Sequence, residues 1–322
     1  MNVAQLTTQE AEALPVPSVT EDIGCVLCGA HDASLVIPST LGRPDERGDW
    51  SAYRCTSGGY GYHGPIVKCN RCGLVYANPR VQSREVVGIY EAVKDPLYVE
   101  ERLGRVLTFE HHLRPLEKRT GPGSGRRLLD VGAYTGVFVE IAAQHGWDAW
   151  GVEPSAWAVG VARAEGLQMS FGTLEEATFP DAGFSVVTMW DVIEHVADPY
   201  ATLQEAWRIL EPGGWLAVHT MDIDSLFSRL MGKHWPWYMQ MHLFYFSRKT
   251  MASLLKRAGF EVAWMGAQGR YLHIGYLASR IAALSPRIGR PVEAAVNRLG
   301  LRSRMARVNL GDLFTTYARK AP

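Results

Sequence analysis

Residues 128–136 read LLDVGAYTG, an apolar run that ends in Asp130 and enters a turn holding Gly132 and Gly136. A strand that passes through such a turn into a helix presents backbone N–H groups to a nucleotide. A second constellation is made of cysteines, CVLC at 25–28 and CNRC at 69–72, each pair followed by glycine. Thiolates two residues apart converge on one ion, so Cys25, Cys28, Cys69 and Cys72 can close a tetrahedral zinc site. A closed four-sulfur site has no open position to activate water, which gives the metal a structural role. The rival readings are a redox pair and the replacement of one sulfur by Cys55, His31 or His63. The doubled motif disfavours the first of these. Cys55 itself reads as a small buried residue.

The loop then has to be matched to a ligand. A dinucleotide fingerprint wants G-x-G-x-x-G, because its second glycine lets a pyrophosphate press on the backbone. Here Tyr134 stands at that place. A phosphate-bearing ligand is disfavoured, whereas an adenosine ligand without phosphate, such as S-adenosylmethionine (SAM), does not need the approach. Its cationic groups also suit the acid at Asp130. Glu153, in WGVEPS, lies twenty-one positions after Gly132, the distance of an acid that holds a ribose diol.

The elements that must carry these residues follow from patterning. Beyond the break TGPGSGR (120–126), apolar strand-like runs at 127–131, 148–152, 167–171, 184–189, 215–220 and 260–265 alternate with helical patterns at 136–146, 155–165, 199–210 and 248–258. Such alternation implies a mostly parallel sheet covered on both faces, an α/β fold. The organisation expected is a flexible leader over 1–22, a zinc ribbon over 23–80, a helical linker or lid over 81–124, and a core over 125–322. Within the core, 271–310 is a basic insert. Its seven arginines face Glu293 alone, and its apolar stripes at helical spacing suggest a helical pair. That pair could cover the pocket, build a dimer face, or touch a membrane or other anionic surface.

The chain has 322 residues, 33 Lys+Arg and 33 Asp+Glu. This neutrality argues against a nucleic-acid partner. The N-terminus lacks the basic and apolar regions of a secretory signal, and no apolar run is long enough to span a bilayer, so a cytoplasmic address is expected.

With these motifs in order, the chain resembles the class I SAM-dependent methyltransferases over roughly 125–270 and again at GDLFTTYARK (311–320). LDVGAYTG keeps Asp130, Gly132 and Gly136 of the family's LDVGCGTG and replaces its middle Cys-Gly with Ala133 and Tyr134. The resemblance implies a Rossmann-like sheet with SAM held at this loop. Glu153 and Pro154 of GVEPS match the ribose-binding segment, and Thr173 and Leu174 of GTLEEA fall where the family contacts adenine. Trp190 and Asp191 of MWDVIEHVADP match the end of the fourth strand; Asp191 could anchor the cofactor ammonium or cap the next helix. The paired knuckles before CGLVYANPR are similar to a bacterial subset carrying an N-terminal zinc ribbon.

Methyl transfer from a sulfonium is an in-line displacement, so positioning is the main task. An oxygen or nitrogen acceptor also has a proton to lose. His195, after the fourth strand, and His242, in WPWYMQMHLFYFS (235–247), are the candidate catalytic residues. Trp235, Trp237 and Tyr245 could wall the acceptor pocket or belong to the core. The activity expected is methylation of a small molecule, such as a hydroxyl of a sugar or natural product. The alternatives are a lipid-linked or membrane-associated glycan acceptor, a nucleic acid, and SAM binding without turnover.

Overall fold

The structure is a computed structural model that describes residues 20–41, 53–54, 60–92, 94–95, 98–99 and 102–321. Cys55, most of the leader (1–19) and the loop 42–50 lie outside the described residues.

Seven strands form the main sheet. In chain order they are preceded by β1 (Ala33–Ile37), β2 (Ile66–Cys69) and β3 (Val75–Ala77) of a smaller sheet. The main sheet is built from β4 (Arg127–Val131), β5 (Asp148–Glu153), β6 (Gln168–Phe171), β7 (Phe184–Trp190), β8 (Leu210–Met221), β10 (Phe260–Ala267) and β13 (Leu313–Lys320). Its spatial order is β10-β13-β8-β7-β4-β5-β6. The strands from β8 to β6 pair in parallel, and β13 runs antiparallel to both neighbours. All seven residues of β7 are buried, as a central parallel strand covered on both faces requires.

The helices between strands fall where the apolar pattern places them. They are α3 (Val137–Gln144), α4 (Ala156–Ala164), α5 (Pro199–Ile209) and, after a short α6 (Leu226–Met231), α7 (Arg248–Arg257). Ser155 caps α4 by accepting from the Ala158 amide, and Asp198 caps α5 through Tyr200 and Ala201. α5 stops at EPGG (211–214), which lies inside β8, where the register against β7 shifts between Leu210 and Trp215.

The helical linker or lid expected over 81–124 holds two helices, α1 (Ser83–Ala92) and α2 (Arg102–Thr120). α2 packs on α3 and on the insert. The insert is a hairpin, β11 (Arg270–His273) with β12 (Met305–Val308), whose strands carry the helices α8 (Ile274–Leu284) and α9 (Pro286–Arg298). The expected helical pair is therefore present and is mounted on a two-stranded stalk. Among the described residues, no helix is long and apolar enough to cross a membrane.

The cysteine region is stitched to the core. Its small sheet takes a fourth strand, β9 (Phe244–Tyr245), from the segment after β8, so that Phe244 pairs with Tyr76 and Tyr245 with Val75. Thr20 and Glu21, at the end of the expected leader, pair with Val81 and Arg80. Arg257 of α7 donates to the carbonyls of Val26 and Leu27 in the first knuckle. The aromatic residues at 235–247 fill this junction. Trp235 and Tyr245 are fully buried with Ile37, Ile66 and Val75. They are core, not the acceptor wall that was one of their two expected readings.

Candidate functional site

The tips of β4, β5, β7 and β8 converge on one side of the sheet. At the tip of β4, Tyr134 has φ of 48°, in the left-handed region. A glycine adopts that conformation freely, and a tyrosine at about 1 kcal/mol, so the turn geometry persists although the residue has changed. Gly136 (φ 75°) then opens α3 without a side-chain cap, leaving its first N–H groups to a ligand. The Tyr134 ring is buried against Tyr98, at 4.4 Å between centroids, and Trp157. Arg105 of α2 lies 3.3 Å over Tyr98. Ala133 is buried beside the loop.

Glu153 ends β5 and is 6% exposed. One carboxylate oxygen accepts from the Tyr134 amide at 3.0 Å, the other from the Ser155 amide at 2.8 Å. Burial pushes its pKa up to about 7 against the pull of those amides. Pro154 joins it to the α4 cap. Asp130 lies deeper and accepts from the Thr188 hydroxyl at 2.6 Å; burial, offset in part by Thr188, pushes it up to about 8. It supports the loop from within the sheet. Thr173 donates its amide to Glu176, and Leu174 is buried.

Asp191 follows β7 with φ of 56°. Arg270 Nη2 lies 3.1 Å from each of its carboxylate oxygens. Burial works against ionisation there, but Arg270 and then His219 outweigh it and hold the carboxyl below its usual range. In place of the helix cap that its position allowed, Asp191 has a half-buried cation.

A cavity of ≈ 110 Å³ opens beside this pair, lined among others by Arg105, His112, Trp190, Asp191, His219 and Arg270. His112 Nε2 lies 3.1 Å from the Gly269 carbonyl, which can only accept. The proton is therefore on Nε2, and Nδ1 carries a buried lone pair with no hydrogen-bond partner. His219 Nδ1 meets the Thr315 hydroxyl at 2.8 Å, and its Nε2 has no hydrogen bond and lies 3.8 Å from Asp191. The Trp190 indole N–H also has no hydrogen bond. Burial keeps both imidazoles neutral, His219 at about 4 and His112 well below its usual value. Three bare polar atoms around one cavity are the mark of a site made for a polar ligand. A more open groove of ≈ 430 Å³ between Asp222, Ser225, Arg248 and Gly311 contains none of these residues.

The two histidines expected to be catalytic are brought together, with ring centroids 4.8 Å apart. His242 is 4% exposed and gives Nδ1–H to the Trp237 carbonyl at 2.7 Å. His195 Nδ1 meets the Met241 carbonyl at 2.9 Å and the Tyr90 hydroxyl at 3.0 Å. Burial lowers both pKa values, His242 to about 3, with His195 adding to the effect. Glu194 lies next to them, pushed up to about 8 by burial and by Asp191. His112, His219 and Arg270 were not among the expected site residues. The available signal was a histidine inside the apolar run WLAVHT, since a polar group in a buried strand needs a reason.

The four cysteine sulfurs lie within 4.8 Å of one another, with Cys25 3.4 Å from Cys72 and Cys28 3.5 Å from Cys69. Zinc–sulfur bonds of about 2.3 Å place tetrahedral sulfurs about 3.8 Å apart, so the donor set fits the ion. Gly29 (φ 72°) and Gly73 (φ 81°) make the two knuckle turns. Neither His31 nor His63 joins the cluster; the His63 ring contacts the Gly64 carbonyl.

Comparison with known proteins follows the same sheet. A family profile described as a methyltransferase domain matches residues 100–263, just over half of the chain. A ubiquinone biosynthesis O-methyltransferase of Bordetella avium (strain 197N) is 31% identical over 35% of this chain and 52% of its own length. One from Alkalilimnicola ehrlichii (strain ATCC BAA-1101 / DSM 17681 / MLHE-1) is 32% identical over 35% and 50%. The chain thus spans about half the length of the curated relatives it matches. Among solved structures, a chain of the complex between the Haloferax volcanii Trm112 methyltransferase activator and a methyltransferase aligns with a TM-score of 0.50 and 21% identity. It covers 71% of this chain and 100% of that one, a likeness of fold.

Proposed function

The chain belongs to the methyltransferase-domain family, and from that premise we propose that it transfers a methyl group from SAM to a hydroxyl of a small-molecule acceptor. In this reading Gly132, Ala133, Tyr134 and Gly136 cradle the methionine arm and Glu153, beside Pro154, holds the ribose diol. Thr173 and Leu174 flank the adenine, with Trp190 and Asp191 at the reactive end. Its main support is the cavity beside Asp191, where the bare Nδ1 of His112 offers a proton acceptor. Methyl transfer needs the acceptor oxygen, methyl carbon and sulfur in line, and a base that takes the hydroxyl proton as the new bond forms. The acceptor sits between His112, His219 and the cofactor; Arg270 keeps Asp191 ionised. His195 and His242 stand behind Asp191 with their Nδ1 atoms committed to carbonyls. The four cysteines hold a structural Zn2+ that fixes β9 and with it the His242 segment.

Incubation with methyl-labelled SAM and a panel of hydroxylated small molecules tests the reading. Label in the small-molecule fraction supports it; label in RNA, or none transferred, contradicts it.

A second reading concerns where the acceptor is met. On the insert, Ile288 (63%), Leu299 (68%) and Leu310 (55%) are exposed, beside exposed Arg287, Arg290, Arg298 and Arg302. Apolar anchors among cations suit an anionic membrane surface carrying a lipid-linked acceptor. Flotation with anionic vesicles should carry the chain upward, and Ile288→Asp should abolish it. Equal flotation of both, or none with the wild type, contradicts this reading.

A further inference from the structure

We propose that Glu194, His195 and His242 form a second metal site, distinct from the four cysteines, for a divalent cation of the Mn2+ to Zn2+ series. One ligand atom from each residue lies within 4.8 Å of the other two. Metal bonds of about 2.1 Å place neighbouring ligand atoms about 3–4 Å apart, so binding draws the three atoms closer together.

The protonation pattern is that of metal ligands. Each histidine has Nδ1 against a carbonyl, His242 on Trp237 and His195 on Met241. A carbonyl only accepts, so both Nδ1 atoms carry the proton and both Nε2 atoms keep the lone pair. Metal-bound histidines are fixed in this way, the second nitrogen setting the tautomer and the ring plane. Independently, Glu194 is 1% exposed and its Oε2 has no hydrogen-bond partner. Asp191 adds a second carboxylate nearby, and Arg270 is already engaged by it. A buried carboxylate oxygen with nothing to bind is met in folded proteins by a cation or a proton donor.

The backbone holds the three residues in register. The amides of Leu243 and Phe244 both donate to the Glu194 carbonyl, at 2.8 and 3.2 Å. His242 is thereby fixed onto the turn that carries Glu194 and His195. Two imidazoles and one carboxylate suit first-row divalent ions better than Ca2+ or Mg2+. Three protein ligands also leave coordination positions open, unlike the four cysteines.

The test is a metal count on the full chain. The protein is stripped with chelator, reloaded with Co2+, and measured by mass spectrometry and absorption. The wild type should hold two ions per chain, one showing the intense thiolate charge-transfer band of the cysteines. Glu194→Gln and His242→Ala should each hold one ion fewer and keep that band; circular dichroism reports whether each variant is folded, and the isosteric glutamine guards against loss of fold. A wild type whose only ion is the thiolate-bound one overturns the proposal, as does a folded Glu194→Gln with an unchanged count. Titration of the same samples with SAM separates the two claims, because failure to bind SAM refutes the methyl-transfer reading and leaves the metal count standing.

Discussion

The backbone amide of Tyr134 donates to Glu153 Oε2 at 3.0 Å. One residue departs from the family's loop and the other is the acid at the tip of the next strand, so the bond joins the two halves of the proposed cofactor cradle. It also explains how the turn tolerates a tyrosine. The backbone keeps the glycine-like φ of 48° because a buried carboxylate and an aromatic cluster hold it there.

Tyr134 can therefore be dissected by two substitutions. Tyr134→Ala removes the ring and keeps the strained backbone, at about 3 kcal/mol. Tyr134→Gly also removes the ring but relieves the left-handed conformation, so it should be about 1 kcal/mol less damaging. Urea denaturation checks the order; an alanine variant as stable as the glycine variant would show that the left-handed turn carries no strain.

Much of this was legible in the sequence, for physical reasons that differ between parts of the chain. β7 reads as a strand because burial on both faces demands an unbroken apolar run. The place of Glu153 at the tip of β5 follows from its distance from Gly132, which a strand-helix-strand unit fixes locally. The covering of Tyr134 by Tyr98 was not legible, since it depends on how α2 and the segment before it pack. The meeting of His112, His219 and Arg270 joins a helix, a strand end and a hairpin far apart in the chain, and no local period records it. The pairing of Phe244 with Tyr76 was hidden in the same way.

Asp130 should tie stability to pH. Its folded pKa is raised to about 8 from an ordinary 3.8. The folded chain binds that proton more tightly than the unfolded chain, so the stabilisation is full below the ordinary value and is lost as pH rises toward about 8. Glu153, raised to about 7, acts in the same sense. Asp130→Asn should flatten part of the decline between about pH 4 and pH 8. Denaturant midpoints across that range with an unaltered slope would refute the assignment.

Loss of the cysteine cluster should be felt in the core. Cys72→Ser opens the four-sulfur cluster and loosens β3, the partner of β9. Hydrogen exchange at the amides of Phe244 and Tyr245 should quicken by about tenfold or more. Unchanged protection there would mean that the core holds β9 unaided.

His112 is expected to act on turnover and not on cofactor binding. His112→Asn should lower kcat by about 100-fold and leave the SAM dissociation constant within about twofold, a difference of about 0.4 kcal/mol. Steady-state kinetics beside calorimetry separates the two effects. An equal loss in both would make His112 a cofactor-binding residue.

The most direct test of the account is calorimetric titration of SAM into the wild type and Glu153→Ala. Charge-assisted bonds to a ribose diol contribute about 3 kcal/mol. The wild type should therefore bind one SAM per chain, and Glu153→Ala should bind it roughly 100-fold more weakly. No binding by the wild type, or the same affinity in both proteins, would contradict it.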